Sequence, residues 1–62
     1  MNGYYQQVTA ILKKHGYSFL EAGKGSHEIW TNGRHRQTVP FACKSRHTAN
    51  EIMKQAGINH KF

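Results

Sequence analysis

The stretch Gly23-Lys24-Gly25-Ser26-His27 carries the densest chemistry in the sequence. Glycines let a backbone approach a ligand closely, and successive exposed amides can hold a phosphate. Lys24 adds a fixed positive charge and Ser26 a hydroxyl. Histidine, with an ordinary pKa of about 6.5, can take or give a proton near neutral pH. This set suits cleavage of an RNA phosphodiester. A proton must leave the 2′-hydroxyl, another must reach the leaving oxygen, and the charge gathering on the phosphate needs fixed donors. Taken alone, the five residues also describe a glycine-rich turn with a surface histidine. They are not a Walker loop, because the Gly-x-x-x-x-Gly-Lys-Ser/Thr spacing is absent.

Other reactive residues are sparse. His35 lies across a predicted hairpin from the His27 strand and is a candidate second acid or base if the strand faces agree; it reads more readily as an exposed hairpin histidine. Cys43 and His47 are an isolated pair, short of the four ligands of structural zinc. Glu21, Glu28 and Glu51 are the only acids, too scattered for a two-metal nuclease centre. No metal or other cofactor is expected. Cys43 has no activating neighbour in the sequence and reads as a small structural thiol.

Nine Lys and Arg oppose three acids, giving a net charge of +6. Such a balance favours a polyanion, because neutralising phosphates releases condensed counterions. The basic residues are dispersed, which points to a folded basic surface and not a disordered tail. Among them Arg34 and Arg36, on the predicted hairpin, join Lys24, Gly25 and Ser26 as candidate RNA contacts. One cysteine excludes an internal disulfide and suits a reducing cytosol. The N-terminus lacks the basic and apolar regions of a signal peptide, and no apolar run approaches the roughly 20 residues of a membrane span. The expected setting is cytoplasmic, without membrane.

The 62 residues allow one domain, 1–62, with a thin core. Tyr5, Val8, Ile11 and Leu12 follow a helical period up to His15, and Gly16 stops it. Tyr17–Ala22 reads as a strand, as does Ser26–Thr31. Asn32-Gly33 signals a hairpin, Arg34–Val39 returns, and Pro40 ends the strand. A two-residue turn would pair His27 with Thr38 and put Ile29 and Val39 on opposite faces. A three-residue loop would pair His27 with Val39, so the face holding Trp30 stays open. Thr48-Ala49-Asn50-Glu51 reads as a capping box. Ala49, Ile52, Met53 and Ala56 then form an apolar stripe up to Gly57, with Ile58 packing back. The fold class is α+β, α-β-β-β-α, with a three-stranded antiparallel sheet and both helices on one face. The other face is left open to a substrate or partner.

Gly23-Lys24-Gly25-Ser26-His27, then Thr38-Val39-Pro40, then Ile52-Met53-Lys54-Gln55-Ala56-Gly57-Ile58, preceded by a helix closing in His15-Gly16-Tyr17, resembles the HicA (YcfA-like) family of toxins. The resemblance covers nearly the whole chain. It implies a double-stranded-RNA-binding-like fold and an mRNA interferase that cleaves RNA, inhibits translation and is neutralised by a HicB-type antitoxin. It also implies that the histidine of the Gly-Ser-His motif, His27, is catalytic, in cleavage not known to require a metal. The sequence departs from the family at Ala42, where many members carry a histidine, and at His47-Thr48-Ala49, where many have Gly-Thr-Leu. The alternative reading is a non-catalytic RNA-binding module of similar fold.

Overall fold

A computed structural model describes residues 3–62 of the chain. Helix α1 (Tyr5–Lys14) is followed by strands β1 (Ser18–Ala22), β2 (His27–Thr31) and β3 (Arg36–Pro40), then helix α2 (Arg46–Gln55). The strands form one antiparallel sheet in the order β1-β2-β3, so β2 is central. The order α-β-β-β-α is the one expected from the sequence.

Each helix buries one stripe. Val8 and Leu12 of α1 and Ala49, Ile52 and Met53 of α2 meet Trp30, Val39, Tyr17 and Ile58 in a single core. The strand residues in that core lie on one side of the sheet, so both helices cover the same face. Burying a side chain of this size contributes about 1.5–3 kcal/mol, and few residues here do it.

Both helices end alike. Gly16 (φ 87°) and Gly57 (φ 75°) take the left-handed conformation that stops a helix. The Tyr17 amide then donates to the Leu12 carbonyl at 2.9 Å, and the Ile58 amide to that of Met53 at 2.8 Å. Tyr17 and Ile58 thereby fold back into the core. The Tyr17 hydroxyl donates to the Ala56 carbonyl at 3.2 Å, which joins the two helix ends.

The structure corrects two local expectations. Helix α2 starts earlier than the Thr48-Ala49-Asn50-Glu51 pattern suggests. Its N-cap is Ser45, whose hydroxyl accepts from the amides of His47 (3.1 Å) and Thr48 (3.5 Å). Ser45 has the extended backbone a cap needs, while Thr48 lies inside the helix, where its own amide is already engaged.

The hairpin register is also neither of the two considered. His27 pairs with Pro40 and Thr31 with Arg36, around a four-residue loop, Asn32–His35. A type I′ turn would need positive φ at both Asn32 and Gly33, but only Gly33 has it (φ 96°). Asn32 instead turns its side chain inward, and its Oδ1 accepts from the amides of Arg34 (2.9 Å) and His35 (2.8 Å). Arg34 and His35 therefore belong to the loop and not to the strand, which begins at Arg36 and includes Pro40. Two extra loop residues preserve the parity of a two-residue turn. Ile29 and Val39 accordingly lie on opposite faces, because Ile29 pairs with Thr38 and Glu28 with Val39.

Substitution Ser45→Ala is expected to destabilise the protein by about 1 kcal/mol, the typical cost of losing a cap. That corresponds to a fall in Tm of roughly 4–8 °C for a domain of this size. Thr48→Ala should move it less. Thermal unfolding of the two variants side by side checks the assignment, and a larger loss in Thr48→Ala would overturn it.

Candidate functional site

The candidate site is built where β1 hands over to β2. The Gly23 amide donates to the His27 carbonyl at 2.7 Å, and the His27 amide donates to the Lys24 carbonyl at 3.1 Å. Lys24 to His27 is thus a tight turn. Gly25 takes φ 61° while Ser26 does not have positive φ, the combination of a type II′ turn, which needs glycine at its first central position. Gly23 contributes in a different way. A Cβ there would sit 3.3 Å from the His27 carbonyl oxygen and 3.7 Å from the His27 Cβ, so the missing side chain lets β1 press against His27.

The face of His27 follows from its strand. Trp30 is buried among the helices, and side chains alternate along β2. Glu28 and Trp30 therefore point to the helices, and His27 and Ile29 point to the open face. Lys24, Gly25, Ser26 and His27 are all exposed. An imidazole on an exposed face, anchored by backbone hydrogen bonds on either side, can meet a polymer that no enclosed pocket could admit.

The six residues singled out in the sequence do not gather at one point. Lys24, Gly25, Ser26 and His27 are contiguous in the turn. Arg36 pairs with Thr31 at the other end of β2, about 13 Å away at 3.3 Å per strand residue. It shares the open face with His27. Arg34 lies beyond it in the exposed loop. The two arginines can follow a backbone leading away from His27 but cannot touch a phosphate held at it. His35 is also at that distant end. Its Nε2 lies 3.1 Å from Oε1 of Gln37, a residue buried on the helix side. The structure thus does not bring His35 to His27 as a second acid or base.

One cluster beside the site was missed in the sequence. The Tyr5 hydroxyl donates to Glu28 Oε1 at 2.6 Å, and Trp30 Nε1 donates to the same oxygen at 3.0 Å. In the sequence Glu28 reads as one of three scattered acids. Its place next to His27 and two before Trp30 is the signal that could have drawn attention to it, since it must share the face of Trp30. The half-buried carboxylate ties α1 to the central strand just behind His27. Burial, reinforced by the bond to Glu28 and its negative charge, pushes the Tyr5 hydroxyl up to about 12.

Gln37 is the second unanticipated polar residue. It is buried, and its Nε2 donates to Gln55 Oε1 at 2.9 Å, linking β3 to α2. Burial pushes the Cys43 thiol up, against a smaller lowering by a backbone hydrogen bond at Ser45. A buried thiol held protonated is a poor nucleophile, in keeping with a structural role. Among the described residues, no three His, Cys, Asp or Glu side chains converge as metal ligands. No helix among them is long and apolar enough to cross a membrane.

The sequence model of the HicA toxin of bacterial toxin–antitoxin systems matches residues 5–58, from the first residue of α1 to the residue that closes α2. The chain belongs to the HicA toxin family. No curated protein and no solved structure matches it. Membership makes this HicA a toxin of a toxin–antitoxin pair, with an antitoxin as its partner. The Gly-Ser-His turn thus sits in a HicA scaffold whose open sheet face is free of helices.

The raised Tyr5 hydroxyl gives a pH signature with a definite sign. The folded state holds the proton more tightly than the unfolded chain, so the resulting stability is fully present below pH 10. It is lost as the pH rises from 10 through about 12. Wild-type HicA should lose stability across that window more steeply than Tyr5→Phe, which has no proton to release there. Denaturant unfolding at a series of pH values measures both slopes, and parallel curves would refute the link. At neutral pH, Tyr5→Phe should cost about 1–3 kcal/mol, because it leaves the half-buried Glu28 carboxylate with one donor fewer.

Proposed function

We propose that this HicA is an mRNA interferase, a metal-independent endoribonuclease that inhibits translation, with His27 as its catalytic acid or base. The observation that carries the reading is the placement of His27. It is exposed on the open sheet face, fixed between the Gly23 amide and the Lys24 carbonyl, and flanked by a cation and a turn that can offer amides to a phosphate.

In this reading the RNA backbone crosses the open face. Its scissile phosphate rests at the Lys24–Ser26 turn, where Lys24 and the turn amides stabilise the charge that develops on the phosphoryl oxygens. His27 exchanges a proton with the 2′-hydroxyl or the leaving oxygen, depending on its protonation state. Arg36, and Arg34 beyond it, neutralise phosphates further along the strand and help to hold the RNA. Among the described residues the scattered carboxylates offer no ligand set for a metal pair, which favours proton transfer by the histidine. The net charge of +6 draws the polyanion to so small a surface. The toxin works as one domain over residues 1–62 in the cytoplasm, where mRNA is found, and a HicB-type antitoxin neutralises it.

Purified wild-type protein is expected to cleave single-stranded RNA in the presence of EDTA. His27→Ala should lose about 10²–10⁴-fold in rate, the usual contribution of a positioned acid or base. Its thermal unfolding should stay close to that of the wild type, because an exposed side chain contributes little to stability. Equal cleavage by both proteins would place the active site elsewhere. RNA bound by both and cleaved by neither would favour the non-catalytic RNA-binding module.

A further inference from the structure

The open face accounts for His27 and its turn, but not for an apolar groove just around the end of the sheet. That groove, of about 210 Å³, lies between the start of α1 and the loop after β3, and Tyr5, Gln6, Phe41, Cys43 and Lys44 line it. Phe41 is 59% exposed in a chain short of core residues. Its ring lies 4.8 Å from that of Tyr5, tilted by 57°. The Tyr5 ring is itself held in place, because its hydroxyl is tied to Glu28 at 2.6 Å. One fixed and one exposed aromatic ring therefore flank a cavity with open apolar surface.

The groove is coupled to the Gly-Ser-His turn. The Phe41 amide donates to the Ser26 carbonyl at 2.7 Å, which extends the β2–β3 ladder by one pair beyond His27 and Pro40. Such opposed residues have Cα atoms only about 5.5 Å apart. His27 thus faces the open side at the very end of β2, and Phe41 begins the groove one residue further, around the edge. The surroundings are cationic: Lys44 lines the groove, Lys24 stands in the adjoining turn, and Arg46 follows two residues after Lys44.

We infer that the Tyr5–Phe41 groove is a base-binding subsite that takes one unpaired base of an RNA whose phosphate lies at the Lys24–His27 turn. The inference rests on the proposed function in taking RNA as the ligand. Every base has an aromatic face, and stacking on an exposed aromatic ring is how proteins hold single-stranded nucleic acid. Positive charge around an aromatic groove suits a nucleotide better than an apolar peptide, which would gain nothing from Lys24 and Lys44. A base seated here would pull the strand around the sheet end, fix the sugar next to His27, and select single-stranded over paired RNA, since a paired base cannot leave its helix without breaking the pair.

The test uses the whole protein and a short single-stranded 2′-fluoro RNA, which lacks the 2′-hydroxyl and so reports binding without cleavage. An abasic site is walked along this RNA. Wild-type protein should lose about ten-fold in affinity at one position, consistent with the usual worth of one stacked base. Phe41→Ala should bind the intact RNA about ten-fold more weakly and show no further loss at that position. Phe41→Tyr should restore both the affinity and the position dependence. Phe41→Leu, which keeps apolar surface without an aromatic face, should behave like Phe41→Ala and guards against a folding defect. Equal abasic profiles in wild type and Phe41→Ala would overturn the subsite, even if Phe41→Ala weakened binding of the antitoxin instead. Wild-type protein that shows the abasic dependence but cleaves no RNA would sink the ribonuclease and leave the subsite standing. Cleavage without any dependence on a base would do the reverse.

Discussion

Trp30 enters the core from the central strand, and that burial decides where everything else on β2 must point. Side chains alternate along a strand, so residues an odd number of positions apart face opposite ways. His27 stands three before Trp30 and is therefore turned away from both helices. The same alternation puts Glu28 on the helix side, where the Trp30 indole and the Tyr5 hydroxyl hold its carboxylate. A slip of one residue would bury the histidine and expose the indole. The four-residue loop Asn32–His35 guards against it, since Asn32 fixes the two amides that set the return of β3.

A core this thin leaves little margin, and the protein compensates at its joints. Each helix closes on a left-handed glycine and then folds an apolar residue back inside. The first of these, Tyr17, also reaches the end of the second helix through its hydroxyl. Gln37 occupies a buried position that an apolar residue could fill, and its side chain bonds to both Gln55 and the Thr38 carbonyl. Buried polar groups are costly unless partnered, and among the described residues no buried side-chain nitrogen or oxygen lacks a partner. These bonds contribute specificity in a molecule where only a few side chains are fully buried.

The arrangement separates the core from the candidate site. One sheet face, packed on the helices, holds Trp30, Val39 and Gln37. The other carries His27, Ile29, Thr38 and Arg36, which can change with little effect on the core. The ribonuclease proposed above would need no deep pocket, because a polymer is held by many shallow contacts spread along its backbone. The glycines of the turn serve that face directly: Gly25 supplies the left-handed turn and Gly23 the close approach of β1.

The residues alone determined the order of elements, the family likeness, the Gly-Ser-His turn and both helix stops. Each of these is a local property, read from hydrophobic period, glycine conformation or contiguous motif. Tertiary structure decided the rest. The register depended on whether Asn32 would take positive φ or lend its side chain to the loop, and both suit the same dipeptide. The cap of α2 fell to Ser45 because the approach of the preceding loop gave that residue the extended backbone. The bonds of Glu28 to Tyr5 and of Gln37 to Gln55 join residues far apart in sequence, so no spacing rule could show them. Only the folded sheet could separate His27 from His35, since their distance depends on the register, and only the packing of the start of α1 against the loop after β3 could bring Tyr5 to Phe41.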